Sequence, residues 1–133
     1  LLPGGDQLAD GGVLRATAWT IGRASNRQGL RLSGASLRLR QPREAISEPV
    51  MPGTLQLPAH GNPILLLADA QTHGGYPRIG HSIRADWPRL AQLRPGERVY
   101  FVPCTLEQAA SLWRSQQQGL ARLAIAVSQA DQA

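Results

Sequence analysis

Apolar and polar positions along this chain form short runs separated by Gly and Pro, and the densest pattern lies between Pro49 and Gly80. Thr54 to Leu57 reads as a short strand, Gly61-Asn62-Pro63 as a turn, and Ile64 to Ala68 as an apolar run. Four to eight apolar residues bounded by turn signals form a strand buried on both faces. The run gives way to Asp69, Gln71 and Thr72, then to Gly74-Gly75-Tyr76-Pro77. Polar groups at the end of a buried strand, beside glycines that admit close backbone approach, build a small-molecule site at a barrel mouth.

The same alternation predicts further elements. Gly4-Gly5 and Gly11-Gly12 bracket an irregular opening, and Val13 to Ile21, with Trp19, alternates weakly as a short strand or turn. Ser25 to Gly29 is a polar turn. Leu30 and Leu32 then point one way while Arg31 points the other, and Ser36 to Arg40 repeats the alternation. Pro42 to Pro52 reads as a loop, because Pro49 and Pro52 cannot donate ladder hydrogen bonds in a central strand. Arg78 to Arg84 is a strand, Asp86 caps a short helix from Trp87 to Leu93, and Arg98 to Pro103 is a final strand. Thr105 to Gln108 fits a capping box opening a terminal helix whose Leu106, Ala109, Ala110, Trp113, Leu120 and Leu123 recur at helical spacing. Ser128 to Ala133 is expected to fray. Many short strands with one short and one terminal helix predict a mainly β protein, a closed or nearly closed barrel.

With 133 residues the chain is one domain with room for a core, and no run approaches the roughly 20 apolar residues of a membrane span. Its opening, Leu1 to Gly5, has neither an initiator Met nor a signal-peptide pattern and reads as part of something longer. The lone Cys104 excludes an internal disulfide, fits a reducing, cytoplasmic setting, and sits in an apolar run as a buried inert thiol. All basic residues are arginine. Without lysine the chain cannot itself carry biotin, form a Schiff base or supply a P-loop Lys. The net charge of +5 does not point to nucleic acid, since only Arg38, Arg40 and Arg43 cluster and aromatics are sparse.

Candidate chemistry falls into three groups: Asn26, Arg27 and Arg31, whose guanidinium groups can grip an anion in bidentate fashion; Asp69, Gln71, Thr72 and the Gly74-Gly75 backbone; and Gln56, which can point into the same mouth. Their plain structural uses stand beside this: Asn26 and Arg27 as a turn and an exposed charge, Asp69 as a cap for nearby amides. His60, His73 and His81 form no metal pattern. His73, inside the polar loop, is the one placed for proton transfer or substrate contact. No Cys-x-x-Cys, His-Glu-x-x-His or Gly-x-Ser-x-Gly occurs, which argues against a self-contained triad or zinc centre.

Four segments together resemble the biotin-dependent carboxyltransferase family: Ser25-Asn26-Arg27-x-Gly29-x-Arg31-Leu32-x-Gly34, Pro52-Gly53-x-x-Gln56-x-Pro58, Gly61-x-Pro63-Ile64, and Asp69-x-Gln71-Thr72-x-Gly74-Gly75-Tyr76-Pro77-Arg78-Ile79. That family includes the 5-oxoprolinase C subunit, KipA, allophanate hydrolase subunit 2 and the carboxyltransferase region of urea amidolyase. The likeness extends through Ala85-Asp86, Leu90 to Leu93, Pro95-Gly96 and Val99-x-Phe101, running from about Leu2 to Trp113. Cys104 to Ala109 looks most like the stand-alone bacterial 5-oxoprolinase C subunit.

The resemblance implies a cyclophilin-like β-barrel, with residues 1–133 as the second of two such halves and the first half absent from this chain. It implies a component of ATP-dependent 5-oxoprolinase, which opens 5-oxo-L-proline to L-glutamate with subunits A and B. ATP would be used by the complex rather than bound by this chain alone. The alternatives are carboxyl transfer to urea or a related amide, with biotin supplied by a partner, and a KipA-like regulator binding a KipI-type partner related to the 5-oxoprolinase B subunit. The family positions fall on Asn26, Arg27, Arg31, Gln56, Asp69, Gln71, Thr72 and Tyr76. Arg27 and Arg31 would bind an anion, Asp69 and Gln71 would recognise the amide, and Gly74-Gly75 would allow close approach. Asp69, Gln71 and His73 are the catalytic candidates on this reading, and the others bind substrate. His73 stands where the family would have Thr, and His81 where it has a small or β-branched residue.

Overall fold

The computed structural model of the chain describes residues 1–44 and 46–131. Among the described residues nine short strands and three α-helices follow in the order β1 Leu2–Pro3, α1 Gly11–Ala16, β2 Trp19–Ile21, β3 Gly29–Ser33, β4 Glu48–Pro49, β5 Thr54–Gln56, β6 Ile64–Leu66, β7 His73–Gly74, β8 Arg78–His81, α2 Trp87–Leu90, β9 Arg98–Val99 and α3 Leu106–Ala130. A 3₁₀ turn, Arg84–Asp86, leads into α2. Seven strands form one antiparallel sheet in the order β1-β8-β5-β6-β3-β2-β9, while β4 and β7 pair separately.

Burial follows the expected alternation. In β3, Leu30 and Leu32 are buried while Arg31 and Ser33 are exposed, and all three residues of central β5 are buried. Trp19, Ile21, Leu30, Leu32, Leu55, Leu65 and Phe101 form the heart of the core, each worth roughly 1.5–3 kcal/mol of burial free energy. The sheet curls, and its outer edges meet: Leu1 N donates to Val102 O at 2.6 Å, and Cys104 N donates to Leu1 O at 3.0 Å. The mainly β, barrel-like architecture is therefore present. Cys104 is half-buried rather than buried.

Several elements depart from expectation. Gly11 to Ala16 is helical because the Asp10 carboxylate accepts from Gly12 N at 2.8 Å, so only Trp19–Ile21 of the anticipated segment is a strand. Ser36 to Arg40 keeps its alternation, with Leu37 buried and Arg38 exposed, but only Leu39 bridges to Leu8. The Pro42–Pro52 loop, whose Ala45 lies outside the described residues, contains β4; Pro49 is tolerated because it lies in a two-stranded pair. The strands at Arg78 and Arg98 are shorter than expected, and α2 ends at Leu90. Asp86 makes no capping hydrogen bond among the described residues; it belongs to the 3₁₀ turn instead.

The capping box at Thr105 is formed, with Thr105 N donating to Gln108 Oε1 at 2.8 Å and Gln108 N to Thr105 Oγ1 at 3.1 Å. Helix α3 continues through Ser128 to Ala130, so the expected fraying does not begin there; Gln132 and Ala133 lie outside the described residues. Its apolar spacing does not mark a buried face. Trp113 packs under the Arg84 guanidinium at 4.7 Å and Gln116 Nε2 donates to Ala85 O, but Leu106, Leu120 and Leu123 are exposed.

Candidate functional site

The polar turn is a closed hairpin. Asn26 and Gly29 exchange backbone hydrogen bonds at 3.1 and 3.2 Å, and Asn26 Oδ1 accepts from Gln28 N at 2.9 Å. Ser25 Oγ accepts from Arg31 N at 2.9 Å, fixing the start of β3. Gly29 is tightly packed: a Cβ would sit 3.2 Å from both Ile64 Cγ2 and Leu65 O, so these neighbours would have to give by a few tenths of an ångström. This close approach brings the hairpin against the end of β6, where Leu67 N donates to Gln28 O and Asp69 N donates to Arg27 O.

From the other side, β5 carries Gln56 into the same region. Pairing with β8 shifts register between Leu55 and Gln56, so that Gln56 faces Arg78. The Gln56 side chain is 1% exposed, and its Nε2 has no hydrogen-bond partner among the described residues. Gly74 lies directly against it: a Cβ there would be 2.8 Å from Gln56 Nε2 and 3.6 Å from Gln71 Nε2. A side chain at this position would therefore have to displace the end of the Gln56 amide.

Asn26, Gln28, Gly29, Arg31, Gln56, Ile64, Leu66, Gln71 and Tyr76 together line a cleft of about 140 Å³. The structure therefore gathers Asn26, Arg31, Gln56, Gln71 and Tyr76 in one place, with Gly74 behind Gln56. Arg27 and Asp69 do not line this cleft. They pair with each other at 3.3 Å, both well exposed, and face a second cavity of about 450 Å³ walled by Pro52, Leu66, Leu67, Trp87 and Leu90. Leu66 separates the two, lining both. Thr72, His73 and Gly75 line neither; Thr72 Oγ1 and the exposed His73 Nδ1 lie 3.0 Å apart.

Chemically, the cleft offers neutral amides, one guanidinium and one phenol. The described residues that line it supply no carboxylate and no imidazole. Such a set holds a polar, amide-bearing or anionic molecule and steadies charge on its oxygens; it does not by itself move protons at neutral pH. Among the described residues, no group of three or more His, Cys, Asp or Glu could hold a metal ion, and no helix is long and apolar enough to cross a membrane.

Two features escaped prediction from the sequence. Gln28 lines the cleft although it looked like an ordinary turn residue; its place two residues after Asn26 was the only signal. Glu48 accepts from Arg43 Nη2 at 2.9 Å and from Arg78 Nη2 at 2.8 Å, behind the β4–β7 pair. The Arg43 hydrogen bond, ahead of the opposing effect of burial, holds the Glu48 carboxyl below its usual range. His81, beside Thr54 on β8, is pushed down first by burial and then by the Arg78 charge.

Residues 6–103 match the family model described as the carboxyltransferase domain, subdomain A and B. The chain is 44% identical over 106 residues to the 5-oxoprolinase C subunit of Escherichia coli (strain K12), covering 80% of this chain and 34% of that protein. It is 46% identical over 96 residues to the protein of the same name from Haemophilus influenzae, covering 72% of this chain and 31% of that one. The chain thus spans about a third of the length of the curated relatives it matches. Among solved structures, K. lactis urea amidolyase superposes with a TM-score of 0.73 at 21% identity, covering 88% of this chain and 8% of that one.

Proposed function

The chain belongs to the carboxyltransferase domain (subdomain A and B) family, and on that premise we infer that it forms part of a 5-oxoprolinase C subunit. In this role it binds and orients 5-oxo-L-proline for ATP-dependent opening to L-glutamate by the assembled enzyme. Identities of 44% and 46% to relatives bearing that name support the reading. The observation that carries the site is the buried Gln56 Nε2, which lacks a partner among the described residues at the floor of a cleft lined by Gln71, Asn26 and Arg31. A buried donor without an acceptor is costly, and a lactam carbonyl is the kind of group that would satisfy it.

In this arrangement Arg31 takes the substrate carboxylate, while Gln56 and Gln71 hold the ring amide. Gly74, lacking a side chain, lets the loop close on the bound ring. Asp69 and His73 remain candidate proton carriers only if the loop or a companion subunit brings them to the substrate. ATP is used by the assembled complex rather than bound by this chain alone, and the reaction proceeds in the cytoplasm. Likeness to urea amidolyase at 21% identity carries the fold alone and gives no reason to prefer carboxyl transfer through a partner's biotin.

The test is reconstitution of the full-length protein with subunits A and B, ATP and 5-oxo-L-proline. Glutamate release that falls sharply with Arg31→Gln is expected; absence of release, alongside an active control complex, discards the reading.

A further inference from the structure

We propose that Glu48 is a positioning residue that clamps the Thr72–Pro77 loop over the Gln56 cleft; this rests on the reading of that cleft as the substrate site. The backbone of β4 holds one limb of the loop: Glu48 is in register with Gly74, Pro49 with His73, and Val50 N donates to Thr72 O at 2.9 Å. The Glu48 carboxylate holds the other limb, with Oε2 accepting from Arg78 Nη2 at 2.8 Å, just after Pro77. Glu48 thus joins the strand that holds the first limb to the residue that follows the second, bracketing the segment that presses Gly74 onto Gln56, carries Tyr76 on the cleft wall and follows Gln71 directly.

The clamp is itself anchored. Arg43 Nη2 donates to the same Glu48 oxygen at 2.9 Å, and Arg43 Nη1 lies 3.5 Å from Asp6 Oδ1. Asp6 closes the ring by accepting from Arg78 N at 2.7 Å, while its own N donates to Arg78 O at 3.0 Å. All four side chains are partly shielded, with side-chain exposures from 14% to 35%. A closed, partly buried network of this kind holds geometry where an isolated surface pair would not. Among the described residues β4 and β7 share no pairing with the main sheet. The loop's Pro77 end is also tied to the strand bearing Gln56, where Leu57 N donates to Pro77 O at 2.9 Å, so the β4 contacts bear chiefly on the Thr72–Gly75 limb.

Glu48→Gln keeps the shape and removes the charge. In the full-length protein, hydrogen exchange at Thr72 to Gly75 is expected to quicken at least about tenfold while β3, β5 and β6 keep their protection. In the assembled enzyme, KM for 5-oxo-L-proline rises about tenfold with kcat changed less than about threefold, because positioning is lost while chemistry is not. Arg43→Gln, which removes one of the two donors, shifts both readouts in the same direction and serves if Glu48→Gln does not fold. Unchanged exchange at 72–75, acceleration spread evenly over the whole sheet, or faster loop exchange with an unchanged KM overturns the proposal. If the wild-type enzyme does not turn over 5-oxo-L-proline, the substrate reading fails and the exchange pattern alone decides the clamp.

Discussion

Gly74 and Gln56, eighteen positions apart, meet so closely that a methyl group on the first would stand 2.8 Å from the amide nitrogen of the second. The Gln56 side chain is buried and lines the cleft, so its amide would have to shift to make room. Gly74→Ala is therefore expected to displace the Gln56 amide and weaken substrate binding about tenfold or more. Calorimetric titration of the full-length protein with 5-oxo-L-proline checks this; unchanged affinity would show that the amide does not contact the ligand.

Replacing Gln56 itself separates stability from function. Its unpartnered Nε2 carries a desolvation penalty, so Gln56→Leu, of similar volume, is expected to hold or raise stability by about 1 kcal/mol. The same change should remove substrate binding. Denaturant melts beside binding measurements test both halves, and a variant that unfolds easily would mean the amide is structural.

The Arg27–Asp69 pair is well exposed, with side-chain exposures of 92% and 53%. Exposed pairs contribute only about 0–1 kcal/mol, so Asp69→Asn should leave the melting temperature nearly unchanged. If Arg27 nonetheless serves an incoming anion at the second cavity, Arg27→Gln lowers turnover without altering stability. Loss of folding in either variant contradicts this account.

His81 gives the chain a pH dependence with a definite sign. Its pKa in the folded state lies below the ordinary 6.5, so the unfolded chain binds the proton more readily. Stability from the neutral imidazole is complete above about pH 6.5 and is lost as the pH falls through the lowered value. Urea midpoints across about pH 5 to 7.5, the range in which an imidazole titrates, should fall on the acid side for the wild type. They should fall less for His81→Gln.

Much of the fold was legible because burial imposes period-two patterning. Leu30 and Leu32 against Arg31, and the apolar run at Ile64, could be placed without coordinates. Helix α1 was hidden by its two glycines, and only the Asp10 cap reveals it. For the site, residue types were readable but their sides were not. Arg27 and Arg31 both looked suited to anions, yet the hairpin puts one at its tip and the other on β3, and Leu66 divides their cavities. The Glu48 clamp joins positions thirty residues apart along the chain, which no local pattern displays.

Helix α3 has the final consequence. Its inner turns rest on the Arg84–Asp86 turn through Trp113 and Gln116, but every residue from Gln117 to Asp131 is exposed, with Gly119 at the junction. An unsupported helix of this length is marginal in water, and a glycine lowers its propensity by about 1 kcal/mol. On warming, the outer turns should therefore unwind while the barrel stays intact, so far-ultraviolet ellipticity declines before indole emission shifts. A single coincident transition would mean the rod and barrel melt as one body.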